Sequence, residues 1–441
     1  MKILLVKCHK KTIYSYLQPI VCEPLELEYI SAVLNEKKID HMILDHLLDG
    51  KNFKDECERY NPDVLLLSGY ITAVETILSY SDYAKDLNPN VKIIVGGSHA
   101  EINYEDFFSP SIDIVVHQSG LSVIDEMLKC LETFDIDDSS LKKVKGIAYQ
   151  FNQVWQVNDK SILESYDMPI PDRSFFNRYK SKTRYMLYPE VAIVKTSISC
   201  PFQCEFCYCR KINQGIYLTR KMADIIKEMQ QIDTEHIWIV DDTFLIDPLK
   251  ALAFIKSIKA HGINKKFIAY SRVDFIAQHP DIIKDLKDIG FIELIVGIED
   301  ISNSKLESYH KGTNEDYNEK AIQVLKDHEI RLTALFIAGI DFRNDDFRRM
   351  KQWIRLKKID CYTVSVFTPM KGTDLYDLYK GEITTNDLSR FDFLHLVMKP
   401  IHMSRLRFYI HFYSLYFDQI FRSGYIRKFL FRLWFGWLFK F

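Results

Sequence analysis

Eleven short apolar runs, each closing on small or polar residues, constrain this 441-residue chain more than any other feature. Five lie in its first third: Lys2–Lys7, His41–Asp45, Val64–Ser68, Val91–Val95 and Ile112–Val116. Six follow later: Val191–Ser197, His236–Val240, Lys266–Tyr270, Leu294–Ile298, Arg331–Ile337 and Tyr362–Phe367. Between them lie stretches at helical spacing, such as Leu25–Lys37 with Leu27, Ile30, Val33 and Leu34 on one face. Strands alternating with helices imply βαβ units, so the chain predicts an α/β protein. The first five runs predict a doubly wound, Rossmann-like sheet, and the last six a partial (β/α)6 barrel of the TIM type. Both architectures collect ligands at the carboxyl ends of their strands.

The two blocks are separated by recognisable punctuation. Val144–Val157 alternates around Asn152-Gln153 and predicts a hairpin, and Tyr166-Asp-Met-Pro-Ile-Pro-Asp-Arg173 predicts an extended linker. The expected division is residues 1–140 for the sheet domain and 141–175 for hairpin and linker. Residues 176–380 form the barrel, and 381–441 a helical C-terminal region. A net charge of −2 argues against binding nucleic acid through bulk electrostatics. No run of 18 apolar residues appears, so hydropathy predicts no membrane span. Nine cysteines in a chain of this length, with no signal peptide, are too few for a disulfide framework and point to a reducing, cytoplasmic setting.

Three of those cysteines carry the chemistry. Ser199-Cys-Pro-Phe-Gln-Cys-Glu-Phe-Cys-Tyr-Cys-Arg210 places Cys200, Cys204 and Cys207 in one loop at the end of the first barrel strand. A structural zinc site needs four closed ligands; Cys209 is available as a fourth, but so tight against Cys207 it makes a poor zinc-ribbon spacing. Iron–sulfur clusters are held by cysteine thiolates, usually four. Three thiolates therefore suit a four-iron cluster with one iron left open to an outside ligand.

This spacing, with an aromatic before the last cysteine, resembles the signature of the radical S-adenosylmethionine enzymes. The resemblance implies a 4Fe–4S cluster on Cys200, Cys204 and Cys207, whose open iron chelates S-adenosylmethionine and whose electron cleaves it to a 5′-deoxyadenosyl radical. It implies cofactor contacts from Asp241 and Asp242 after the second barrel strand, Ser271 and Arg272 after the third, and Glu299 after the fourth. Phe367-Thr-Pro-Met-Lys-Gly-Thr-Asp-Leu-Tyr376 is similar to the family's last-strand motif, with Lys371 where proline is usual. Relatives often have glycine before the first cysteine; here Ser199 must accept the same turn.

The first block resembles the cobalamin-binding domain that precedes the barrel in one large branch of that family. Pro24–Val33 looks like its first helix, Val95-Gly-Gly-Ser-His99 like its glycine-pair loop, and Ile114-Val-Val-His-Gln-Ser-Gly120 like its fifth-strand loop. Ser68, Gly69, Gly96, Gly97, Ser119 and Gly120 are then the expected cobalamin contacts. The histidine motif that ligates cobalt in other cobalamin proteins is incomplete. His9 is kept, but Lys7 stands where a carboxylate would orient it, and Thr12 where glycine would follow.

The expected function is a radical C-methyltransferase acting on an unactivated carbon of a natural product or lipid. Cobalamin-linked rearrangement, cyclisation or oxygen insertion is the alternative, and a non-catalytic iron–sulfur protein a third reading. The expected partners are a small-molecule, peptide or lipid substrate and an electron donor such as flavodoxin or ferredoxin. The C-terminal region repeats aromatic pairs at helical intervals (Phe408-Tyr409, Phe412-Tyr413, Tyr416-Phe417, and on to Trp437-Leu438-Phe439) with interleaved arginines and lysines. Such a pattern fits a helix packed on the barrel, or one in peripheral contact with a membrane.

Overall fold

The computed structural model describes residues 1–10, 19–132 and 138–435. The first five apolar runs pair into one parallel sheet in the spatial order Asp40–Leu44, Lys2–Lys7, Val64–Ser68, Lys92–Gly96, Ile114–Val116. Strand order reverses between Lys2–Lys7 and Val64–Ser68, and a crevice opens there at the carboxyl ends. Leu25–Glu36 and Ser122–Glu132 cover one face, burying Leu27, Leu34, Val123 and Met127. Phe53–Tyr60 and Val74–Leu87 cover the other, burying Phe53, Val74 and Ile77. Strands buried on both faces need an apolar residue at almost every position, which is why the sequence reads as continuous runs.

Two elements differ from expectation. The hairpin Ile147–Phe151 and Val154–Val157, expected in the connecting segment, pairs antiparallel with Ile114–Val116 and extends the sheet to seven strands. Ile114–Val116 would otherwise be an open edge, and Ile147, Ala148 and Tyr149 are fully buried by covering it. The first barrel strand was expected to run to Ser197 but stops at Val194. Ser197–Ile198 turns away to pair with Leu218–Thr219. The cause is Asp241, whose carboxylate accepts the N–H groups of Thr196 at 2.6 Å and Ser197 at 3.0 Å.

The six barrel strands are parallel and adjacent in chain order: Val191–Val194, His236–Ile239, Lys266–Arg272, Phe291–Glu299, Arg331–Ala338 and Cys361–Val366. The Arg405–Arg422 helix closes over the last of them. Phe408, Phe412 and Leu415 enter the barrel's core, and Tyr416 exchanges hydrogen bonds with Val364 while Gln419 donates to the Tyr362 carbonyl at 2.9 Å. Among the tail residues expected to carry the aromatic pattern, Trp437, Leu438, Phe439 and Lys440 lie outside the described residues. No helix among the described residues is long and apolar enough to cross a membrane.

A buried ion cluster locks the two domains. Arg173, at the end of the proline-rich linker, donates to Glu23 at 2.8 Å, to Glu228 at 2.6 Å and to the Ile193 carbonyl at 2.9 Å. Glu23 also accepts the Ile193 N–H at 2.6 Å, and Arg220 pairs with Glu228 from the far side while donating to the Tyr29 hydroxyl at 3.1 Å. Burial drives the neighbouring Glu28 carboxyl well above the usual carboxylate range, and Glu23 pushes it the same way. Replacing Arg173 with Leu leaves the buried Glu23 carboxylate without its cation and Glu228 with Arg220 alone, and should destabilise the chain by roughly 3–5 kcal/mol. Denaturant melts of Arg173→Leu against the exposed control Lys129→Ala would measure this. A difference under about 1 kcal/mol would show that the cluster does not hold the domains.

Candidate active site

The carboxyl ends of the sheet strands face those of the barrel strands, and a cavity of about 810 Å³ lies between them. Ser68, Gly69, Gly96, Gly97, Ser119 and Gly120 all line it, so six residues from three separate loops meet in one place. Gly97 is held at φ 113°, a conformation that favours glycine. A Cβ there would stand 3.1 Å from the Gly69 carbonyl oxygen. Below these loops, Leu66, Ile94, Val116 and Ile124 form an apolar floor between sheet and helices. Glycine rims over an apolar slot suit a large, partly planar ligand that backbone must approach closely.

Charged groups brace the loops. The Ser68 hydroxyl donates to Glu26 at 3.1 Å, and Glu26 pairs with Lys7. Ser119 donates to Glu101 at 2.6 Å, whose other oxygen accepts the Asn213 N–H at 2.7 Å. Glu101 thus ties a sheet loop to the turn that follows the cysteines, and burial raises its pKa. His9 also lines the cavity, and its Nε2 lies 3.0 Å from Asp45. The carboxylate missing from the local motif therefore arrives from the end of the neighbouring strand; Thr12 lies outside the described residues.

Cys200, Cys204 and Cys207 occupy the loop after Ile198, which leaves the ribbon through Ser199 at φ 66°. Serine does accept the turn that glycine would make more cheaply. No three His, Cys, Asp or Glu side chains among the described residues already hold metal-ligand geometry. What the fold fixes is the loop and its surroundings. Arg272 stacks 3.7 Å over the Phe202 ring and reaches Cys204 Sγ at 3.7 Å, and burial raises the Cys204 thiol while Lys311 and Arg272 oppose that rise. Three thiols in one loop, with Lys311 and Arg272 beside Cys204, form a donor set suited to an anionic thiolate cluster.

The barrel-rim residues divide. Asp242 lines the cavity, with Oδ2 buried and without a hydrogen-bond partner among the described residues. Asp241 lines it too, but its carboxylate is spent on Thr196 and Ser197. Arg272 is committed to Asp274 at 3.0 Å and the Lys311 carbonyl at 2.7 Å, so its fork braces the cysteine loop instead of waiting for a carboxylate. Glu299, at φ 62°, accepts from Lys311 at 2.6 Å, and the absent side chain of Gly297 leaves room for that pair. Ser271 is buried, with its hydroxyl donating to the Arg272 carbonyl at 3.2 Å.

Comparison with known proteins agrees with both halves. The family described as B12 binding domain matches residues 19–128, and the radical SAM superfamily matches residues 194–354. The chain belongs to the radical S-adenosylmethionine enzymes that carry a cobalamin-binding domain. It is 23% identical to the hopanoid C-3 methylase of Methylococcus capsulatus, over 88% of this chain and 74% of that protein. It is also 23% identical to the anaerobic magnesium-protoporphyrin IX monomethyl ester cyclase of Cereibacter sphaeroides, over 87% of this chain and 64% of that one. The radical S-adenosylmethionine methyltransferase TsrM of Kitasatospora setae, solved with cobalamin and a 4Fe–4S cluster, shares the fold. Its TM-score is 0.69 at 13% identity, over 92% of this chain and 83% of that one.

The cofactors of this domain pair are a 4Fe–4S cluster, S-adenosylmethionine and cobalamin. Sequence reasoning missed several residues that line the cavity: Lys195, Tyr166, Tyr208 and Tyr270. Burial pulls the Lys195 pKa down, but Asp242, Tyr166 and Asp241 around it more than reverse the effect, so it stays cationic. Cys209 also lines the cavity. Only its position after Cys207 could have flagged it, and chain neighbours gave no signal for the tyrosines.

Two substitutions test the assignments. Gly97→Val puts a branched side chain at positive φ against the Gly69 carbonyl, and should lower corrinoid retained after gel filtration by about tenfold with iron content unchanged. Cys204→Ala should abolish the absorbance of the reconstituted cluster while corrinoid binding persists. Equal loss of both cofactors in either variant would indicate misfolding instead.

Proposed function

We propose that the chain is a cobalamin-dependent C-methyltransferase acting on an unactivated carbon of a natural product or lipid. The observation that carries this is the single cavity shared by the glycine loops of the sheet and the strand ends of the barrel. When bound, S-adenosylmethionine on the cluster supplies a hydrogen-abstracting radical, and cobalamin supplies the methyl group. This chain's residues act around them. Ser68, Gly69, Gly96, Gly97, Ser119 and Gly120 would seat cobalamin by close backbone approach, over the apolar floor. Cys200, Cys204 and Cys207 would hold the cluster, and Arg272 would keep their loop in place. Asp242, with its unpartnered oxygen, is the group best placed to accept from the amino group of S-adenosylmethionine. Tyr166, Tyr208, Trp238 and Tyr270 give the cavity an aromatic wall that excludes water from a radical. Lys195 stands in that wall with Asp242 and Asp241 beside it, so the wall is apolar and aromatic around one balanced charge, which suits a largely apolar substrate.

Similarity of equal degree to a cyclase supports a second reading, in which the same cavity serves radical ring closure. An electron donor of the flavodoxin or ferredoxin type would serve either. The two readings differ in coproducts, because methyl transfer consumes S-adenosylmethionine twice. Anaerobically reconstituted chain with cobalamin, a reductant and candidate substrates should give S-adenosylhomocysteine and 5′-deoxyadenosine in near-equal amounts. 5′-Deoxyadenosine alone, alongside product, would replace methyl transfer with cyclisation.

A further inference from the structure

The Arg405–Arg422 helix is apolar on two opposite faces. Phe408, Phe412 and Leu415 on the inner face are fully buried against the barrel. The outer face carries Leu406 at 72% exposure, Ile410 at 60%, Phe417 at 60% and Phe421 at 74%. Tyr413 lies between them at 39% and stacks on Tyr409. At about 100° per residue these outer positions fall within an arc of about 80°. They run for about 22 Å along the helix. Scattered apolar side chains on a surface need no explanation, but a continuous row of this length marks a contact surface.

Charge identifies what the row contacts. From Arg405 to Phe435 the sequence has six cations (Arg405, Arg407, Arg422, Arg427, Lys428 and Arg432) and one acid, Asp418. Asp418 is buried and already paired with Arg355 and with Arg422 at 2.7 Å. The chain as a whole has a net charge of −2, so positive charge is concentrated here. Arg427 donates to the Phe421 carbonyl, which sets a cation at the end of the apolar row, and Lys428 beside it is exposed. A second copy of the chain would bring two cationic rows together, which is unfavourable. An anionic surface with an apolar interior satisfies both parts at once.

We propose that this helix docks on an anionic lipid bilayer, lying along the surface with Leu406, Ile410, Phe417 and Phe421 in the acyl boundary and Arg427 and Lys428 at the headgroups. No helix among the described residues is long and apolar enough to cross a membrane, and the proposal is of a helix lying along the surface. None of the docking residues lines the central cavity, so the surface stands apart from the reaction proposed above.

Flotation of the full reconstituted chain with vesicles tests it. Vesicles containing phosphatidylglycerol should carry about tenfold more chain than vesicles of phosphatidylcholine alone, and high salt should reduce that preference. Ile410→Glu/Phe417→Glu should abolish flotation, with thermal melt and iron content unchanged. Ile410→Ser/Phe417→Ser serves the same purpose should the glutamates perturb folding. Arg427→Gln/Lys428→Gln should remove the anionic preference alone. Failure of the unaltered chain to float with phosphatidylglycerol, or equal flotation of all variants, would overturn the proposal. So would a dimer in sedimentation that the same apolar substitutions dissolve, since a second copy would then occupy the surface.

Discussion

The Arg173 guanidinium is the interaction on which the rest of this molecule depends. It is almost wholly buried, and it reaches one carboxylate from each domain together with a carbonyl of the first barrel strand. A charge taken out of water is tolerated only when its partners are placed to meet it, so the cluster forms in one relative position of the domains. That position turns the strand ends of sheet and barrel toward each other. The central cavity is a consequence of the ion cluster as much as of either fold.

Smaller ties of the same kind set the details. Asp241 ends the first barrel strand by capturing two backbone N–H groups, and thereby starts the cysteine loop where it does. Glu101 joins Ser119 to the turn that follows the cysteines. Lys371 pairs with Asp106 of the sheet domain, while the Asn103 amide donates to the Lys371 carbonyl at 3.0 Å. Each tie crosses between loops that chemistry must hold in register, and each is a buried or half-buried polar group with its partner supplied.

How legible was the site? The glycine loops were readable because a strand end followed by small residues is a local pattern, and all six expected residues do line the cavity. The rim residues were readable in place but not in direction. Asp241, Arg272 and Glu299 occupy the strand ends assigned to them, yet their side chains are committed to Thr196, Asp274 and Lys311. Direction depends on neighbours that are distant in sequence. The same reason explains why His9 looked unsupported, since Asp45 reaches it from another strand, and why the hairpin at 147–157 read as a connection instead of a sheet edge.

By itself the sequence determined which segments become strands, that there are two βα blocks, and which three thiols share a loop. These follow from the period and length of apolar runs and from spacing along one chain, which are local quantities. Only the tertiary structure decided which carboxylate meets which cation, that the two blocks enclose one cavity, and that one helix keeps an apolar face outside after filling the barrel's edge. Those outcomes depend on burial. A charge or an aromatic ring acquires its role from the water it loses, and the protein atoms that replace that water come from elements far apart in the chain.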